Sequence, residues 1–226
     1  RRLRFLGTLQ ISSTPISPSD LAAPREACLR LIREKGLGAL PWSRKAEELR
    51  RRISFLRNVE GQRWPDVSDR ALLDRLEEWI GPFLPQPLEK DSLKRVNLIE
   101  ALRSLLPWKL QYTLEGAAPE QLTLPSGSSR RLRYEEGRCI LSARIQQLFG
   151  LAETPKVVGV PVEIELLSPA GRPVQVTRDL RSFWEKTYGE VRRELRGRYP
   201  KHPWPEDPFT AQPTDRARPK RENRGE

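Results

Sequence analysis

The sequence predicts an α+β protein. It reads as an N-terminal helical bundle, then a small mixed β-sheet with packed helices, closed by an extended proline-rich C-terminal strap. Three observations carry this. Apolar residues recur at helical spacing in five runs between Leu21 and Gly116. Past that point, short period-two runs alternate with Gly, Pro and Ser turn signals. Finally, Pro200, Pro203, Pro205 and Pro208 fall within nine residues, too dense for regular structure.

Each element has its own signal. Residues 1–20 read as a strand, Phe5 to Ile11, followed by a Ser/Pro connector, the tail of a preceding domain and its linker. Residues 21–116 form the bundle. Asp20 is placed to cap a helix from Leu21 to Lys35 that Gly36 stops. Ser43 opens a second helix, with Ala46, Leu49, Ile53 and Leu56 on one face, and Ser68 caps a third that ends at Gly81. After the stiff Pro82–Pro87 stretch, Val96, Ile99, Leu102, Leu105 and Leu106 align on a fourth. Pro107 suits the first position of a fifth, ending at Gly116.

Residues 117–209 form the α+β part. Leu122–Leu124 and Arg131–Tyr134 flank a Pro125-Ser126-Gly127-Ser128 turn, and Glu136-Gly137 turns the chain into Cys139–Leu141. A helix is expected from Ser142 through Phe149, and a strand with one wet face from Val160 to Leu166. Thr177 is placed to cap the last helix, whose stripe is Leu180, Phe183, Trp184, Tyr188, Val191 and Leu195, with Gly197 as its end. Residues 210–226 are polar, charged and aperiodic, and read as a disordered basic tail.

Composition narrows the function. The chain has 226 residues, 41 Lys and Arg against 30 Asp and Glu, and a net charge of +11, so polyanions are favoured partners. No run approaches the roughly 18 apolar residues of a membrane span, and no signal peptide heads the chain. Cys28 and Cys139 make neither a disulfide scaffold nor a Cys-based zinc site, so a reducing, cytoplasmic setting is expected. No Met occurs, and the chain opens Arg1-Arg2-Leu3-Arg4, which reads as a piece of something longer. The single histidine, His202, excludes metal sites built on paired His ligands.

Catalysis has little to stand on. Gly36-Leu37-Gly38 lacks a third glycine and follows a helix, and no G-x-x-x-x-G-K-[ST] occurs. Glu135/Glu136 falls in a hairpin turn, and Glu163/Glu165 alternates with an apolar face, so both pairs read as solvated carboxylates rather than acid–base or Mg²⁺ ligands. The basic clusters are the stronger signal. Arg130, Arg131 and Arg133 crowd one hairpin, Arg172 follows a turn, and Arg192, Arg193, Arg196, Arg198 and Lys201 load the end of the last helix. Residues 186–201 hold six bases against two acids. Cations suit a helix C-terminus through the macrodipole, yet bases interleaved with Tyr199 and Trp204 are also the composition that grips single-stranded nucleic acid. Trp204 itself fits better as a buried pin that holds the strap.

Longer stretches carry a resemblance. Leu166-Leu167-Ser168-Pro169-Ala170-Gly171-Arg172-Pro173-Val174-Gln175-Val176-Thr177-Arg178-Asp179-Leu180, then Phe183-Trp184, Tyr188, Glu190-Val191 and Gly197-Arg198-Tyr199-Pro200-Lys201-His202-Pro203-Trp204-Pro205-Glu206-Asp207-Pro208 stand together. So do Ala39-Leu40-Pro41-Trp42, Trp64-Pro65-Asp66-Val67-Ser68-Asp69, Leu122-Thr123-Leu124-Pro125-Ser126-Gly127-Ser128 and Leu148-Phe149-Gly150-Leu151-Ala152-Glu153-Thr154-Pro155. This pattern, from about Gly36 to Pro208, resembles the C-terminal region of HrpB-type ATP-dependent helicases, bacterial relatives of the DEAH-box RNA helicases. The resemblance implies that residues 1–20 end an oligonucleotide-binding-fold-like domain. It places ATP and Mg²⁺ in a RecA-like core whose motifs this chain does not contain, so no cofactor and no catalytic residue is expected here. The expected role is an accessory module that packs on the helicase core of the same parent chain and contacts RNA. The rival is a protein-interaction platform that recruits the helicase to a partner without touching RNA.

Overall fold

The computed structural model describes residues 2–14, 18–86 and 91–215. The chain divides into two compact units, Arg1–Arg50 with Trp64–Gln111, and Arg51–Arg63 with Tyr112–Glu226.

The first unit begins with a hairpin, β1 (Arg2–Leu6) and β2 (Leu9–Thr14), where a single strand from Phe5 to Ile11 is expected. Gly7, at φ 62°, reverses the chain in the middle of that run, a conformation open to glycine at little cost. Helix α1 (Pro18–Lys35) starts three residues before the expected Leu21 and stops at Gly36, whose φ of 74° is the left-handed end that glycine provides. Residues 15–17 of the Ser/Pro connector, and Pro87 at the end of the proline stretch, lie outside the described residues.

Helix α2 (Arg44–Glu60) follows Ser43, whose hydroxyl accepts from the Ala46 N–H. Ser68 caps α3 (Asp69–Asp74) by accepting from the Ala71 N–H, and the same run continues as α4 (Leu76–Trp79) after a break at Arg75. Asn97 caps α5 (Leu98–Ser104) through the N–H groups of Ile99 and Glu100. Pro107 precedes α6 (Trp108–Ala117). The core of this unit includes Leu29, Ile32, Leu49, Leu72, Leu76, Trp79, Ile80 and Leu102, all buried. The Trp79 indole donates to the Leu72 carbonyl at 2.9 Å, so its ring is buried without leaving an unpaired N–H.

The second unit is built on a mixed five-stranded sheet. Its strands are β3 (Gln121–Thr123), β4 (Ser129–Glu135) and β5 (Arg138–Arg144), then, beyond the small hairpin β6 (Lys156–Val157) and β7 (Val160–Pro161), β8 (Glu163–Leu167) and β9 (Pro173–Thr177). The order is β3-β4-β5-β8-β9; β5 and β8 run parallel, with Ile140 opposite Glu163, and the other pairs are antiparallel. The expected helix from Ser142 to Phe149 is absent. Those residues continue β5 to Arg144 and then make one tight turn, Ile145–Gln147. Leu141 and Ala143 alternate inward, and that period-two burial outcompetes the cap signal of Ser142. The expected strand from Val160 to Leu166 breaks at Val162, whose N–H turns away to the Pro155 carbonyl.

The inner sheet face presents Leu132, Tyr134, Cys139, Leu141, Ile164 and Leu166, all buried, and Phe55 of α2 meets Tyr134 with ring centroids 5.1 Å apart. The last helical run is composite: α7 (Leu180–Ser182), a π-helical turn over Phe183–Thr187, and α8 (Tyr188–Arg198). Asp179, not Thr177, caps it, accepting from the Ser182 N–H, while the Thr177 hydroxyl bonds the Asp179 backbone. The π turn lets Trp184 and Tyr188 both reach Phe149, at centroid distances of 5.9 and 6.0 Å.

Candidate nucleic-acid interface

The outer face of the sheet carries alternate residues of each strand, and charge sits wherever that alternation meets Arg or Glu. Arg133 comes from β4, Arg138 from β5, Glu163 and Glu165 from β8, and Arg178 from just past β9. They form a ladder. Arg138 and Arg178 both donate to Glu163, at 3.3 and 2.9 Å. Arg133 and the Ser142 hydroxyl both donate to Glu165, Arg133 at 2.7 Å. Glu135 lies 3.4 Å from Arg138 and 3.9 Å from Arg133. The Ser142 hydroxyl, then Arg133, hold the Glu165 carboxyl below the usual carboxylate range. This face is a balanced ion-pair lattice rather than a pair of solvated acids.

The turn before β4 is tied to the end of the strap. Ser128, Arg130 and Gln147 all approach the Asp215 carboxylate. The Thr214 N–H donates to the Gln146 carbonyl, so Thr210 to Asp215, read from sequence as the start of the tail, carry defined contacts.

The strap from Tyr199 onward is pinned to α8. Trp204 is 7% exposed and its indole donates to the Tyr199 carbonyl at 2.9 Å. Tyr188 donates to the Pro205 carbonyl, and Arg192 donates to the Trp204 carbonyl and to Glu206, at 2.9 and 3.1 Å. Trp204 is thus a structural pin with no open ring face, and Arg192 is its clamp. His202 packs edge-on to Tyr199 at 6.4 Å, and burial, then the charge of Arg144, lower its pKa.

Other bases along and just past α8 stay open. Arg196 and Lys201 are exposed and have no acidic partner among the described residues, and Arg193 donates only to the Gly189 carbonyl of its own helix. Arg198 pairs with Glu194 at 3.3 Å, but both are more than half exposed, and such a pair is weak in water. Arg172, past the Ser168–Gly171 turn, is exposed and likewise has no acidic partner among the described residues.

Comparison with known proteins sets this geometry in a family. The family model described as ATP-dependent helicase C-terminal, HrpB_C, matches residues 79–208. The chain belongs to that family. It is 40% identical over 222 residues to the ATP-dependent RNA helicase HrpB of Escherichia coli strain K12, covering 96% of this chain and 27% of that protein. Two solved structures resemble it. One is a crystal structure of E. coli DExH-box NTPase HrpB, with TM-score 0.81 and 40% identity over 93% of this chain and 27% of that one. The other is a crystal structure of Escherichia coli DEAH/RHA helicase HrpB, with TM-score 0.68 and 38% identity over 88% of this chain and 26% of that one. The chain therefore spans about a quarter of the length of the relatives it matches.

The stretches that carry the resemblance are placed as architecture in this HrpB-type C-terminal fold. Ser168–Gly171 is the β8–β9 turn, with Gly171 at φ 78°, and Phe183, Trp184 and Tyr188 are buried. Cys139 is fully buried, and its thiol is pushed up to about 11 by burial, which makes it inert at neutral pH. Among the described residues, no group of His, Cys, Asp or Glu is placed to hold a metal ion, and no helix is long and apolar enough to cross a membrane. Sequence reasoning missed Gln147 and Asp215, which meet across 68 residues. It also missed Arg52, 2% exposed, whose guanidinium reaches the Ala118 carbonyl at 2.6 Å and Glu115 and Glu120 at 2.8 and 3.1 Å.

Proposed function

We propose that this chain is the accessory C-terminal module of a cytoplasmic ATP-dependent RNA helicase. It packs against the helicase core and grips single-stranded RNA along the open side of α8. ATP and Mg²⁺ belong to the RecA-like core, and the residues here bind and orient rather than cleave. The observation that supports this reading is the contrast among the basic residues. Arg133, Arg138, Arg178 and Arg192 are spent on carboxylates of the fold, while Arg193, Arg196 and Lys201, along and just past α8, are exposed without an acidic partner among the described residues. Exposed cations clustered along a helix end are what a phosphodiester backbone binds.

The test is a titration of labelled oligouridylate against the chain and against Arg193→Glu/Arg196→Glu/Lys201→Glu, which spares the Arg192 clamp. Binding by the parent that falls at least tenfold in the variant supports the reading. Equal binding by both removes α8 from the interface. No binding by folded protein at low salt would instead favour a protein-docking platform.

A further inference from the structure

A cluster of donors lies at the turn before β4. Three side chains converge on one oxygen, Oδ1 of Asp215: the Gln147 amide, the Ser128 hydroxyl at 3.5 Å and the Arg130 guanidinium at 3.7 Å. All three are donors, and no second carboxylate meets that oxygen among the described residues.

Gln147 makes the arrangement a built one. Its side chain is fully buried, and its Oε1 accepts from the Arg144 backbone N–H at 2.8 Å and from Arg130 Nε at 3.4 Å. A backbone N–H only donates, so the atom facing it must be the amide oxygen, and the NH₂ is left facing Asp215. Ser128 is held by the turn itself: its carbonyl accepts from the Leu124 N–H at 2.9 Å, and its hydroxyl meets that of Ser126 at 2.8 Å. The cradle is also open. The side chains of Arg130 and Asp215 remain 38% and 36% exposed, so an external anion can approach without unfolding the sheet.

Asp215 brings one negative charge to these donors, and a phosphodiester brings the same charge with more oxygens. We propose that Ser128, Arg130 and Gln147 form a phosphate-binding cradle that the chain's own Asp215 plugs, and that the phosphate it takes when unplugged is one of a single-stranded RNA backbone. The source of the phosphate rests on the RNA reading above; the cradle does not. Asp215 acts as an intramolecular competitor, so the apparent affinity is reduced by the fraction of chains in which the carboxylate is seated. The sequence that follows it, residues 216–226, holds five bases and two acids.

The experiment compares the chain with Asp215→Asn in two arms. In the first, inorganic phosphate is titrated at constant ionic strength and the amide signals of Ser128 and the Gln147 side chain are followed by NMR. The expected result is a saturable shift at both, reached at about fivefold lower phosphate in Asp215→Asn, and lost when Arg130→Gln is added. In the second, labelled oligouridylate is titrated, with a matching gain in Asp215→Asn. No phosphate response in either protein overturns the cradle, even if RNA binds through α8. An unchanged phosphate midpoint in Asp215→Asn, with only a lower melting temperature, also overturns it and leaves Asp215 a structural latch. A phosphate response without oligouridylate binding keeps the cradle and removes RNA as its source.

Discussion

At the scale of single residues, charge and backbone conformation make the sharpest predictions. Arg52 is a buried guanidinium satisfied by two carbonyls and two carboxylates. Arg52→Ala removes several charge-assisted hydrogen bonds and leaves a void, and should cost about 3 kcal/mol in urea unfolding. A loss under 1 kcal/mol would mean that water replaces the guanidinium at almost no cost. Val158 sits at φ 44° beside Gly159 at φ 82°, in the two-residue turn between β6 and β7. A β-branched residue is strained there and Asn is not, so Val158→Asn should stabilise the fold by about 1 kcal/mol. A destabilised variant would show that the half-buried valine side chain earns more from packing than its backbone loses. His202 titrates below its ordinary 6.5, from burial and then from Arg144. The unfolded chain therefore takes up the proton first as pH falls, and stability drops with falling pH in the window just below 6.5. Thermal unfolding of His202→Gln should lose that slope. Glu165 acts in a lower window: its depressed pKa gives stability that is present above 4.5 and lost as pH falls further.

At the scale of elements, legibility followed the range of the deciding interaction. Caps were readable where the signal is local, as at Ser68, three residues before the N–H it accepts from. The last helix was placed, but its cap moved from Thr177 to Asp179, because both are good caps and only the turn geometry separates them. β5 runs past its expected end at Leu141 because the apolar run Cys139–Leu141 is short and Ser142 looks like a helix cap, and only the pairing of Ser142–Arg144 with β8 decides for a strand. The basic clusters were legible as composition but not as availability. Arg133 and Arg196 look equivalent in the sequence; the fold sets one 2.7 Å from Glu165 and leaves the other in solvent. Asp215 could not be found from sequence at all, since its partners are 68 and 87 residues away. The signal for Arg52 was present: it stands on the Leu49–Ile53–Leu56 stripe of α2, where a charge must find buried partners.

At the scale of the whole molecule, the helicase C-terminal family and the α+β class follow from long stretches of sequence. The described arginines discussed above are of two kinds, those paired with carboxylates of the fold and exposed ones such as Arg193 and Arg196 on α8 and Arg172 after the β8–β9 turn. The salt dependence of the proposed RNA contact reads that sorting directly. Three phosphate contacts on a single strand release counterions with a slope of about 2 in log Kd against log salt. The measurement is that slope for the chain and for Arg193→Glu/Arg196→Glu/Lys201→Glu. A slope lower by about 2 in the variant is the predicted result. An unchanged slope, from variant protein shown to be folded, would contradict it and place the RNA, or its absence, elsewhere on the molecule.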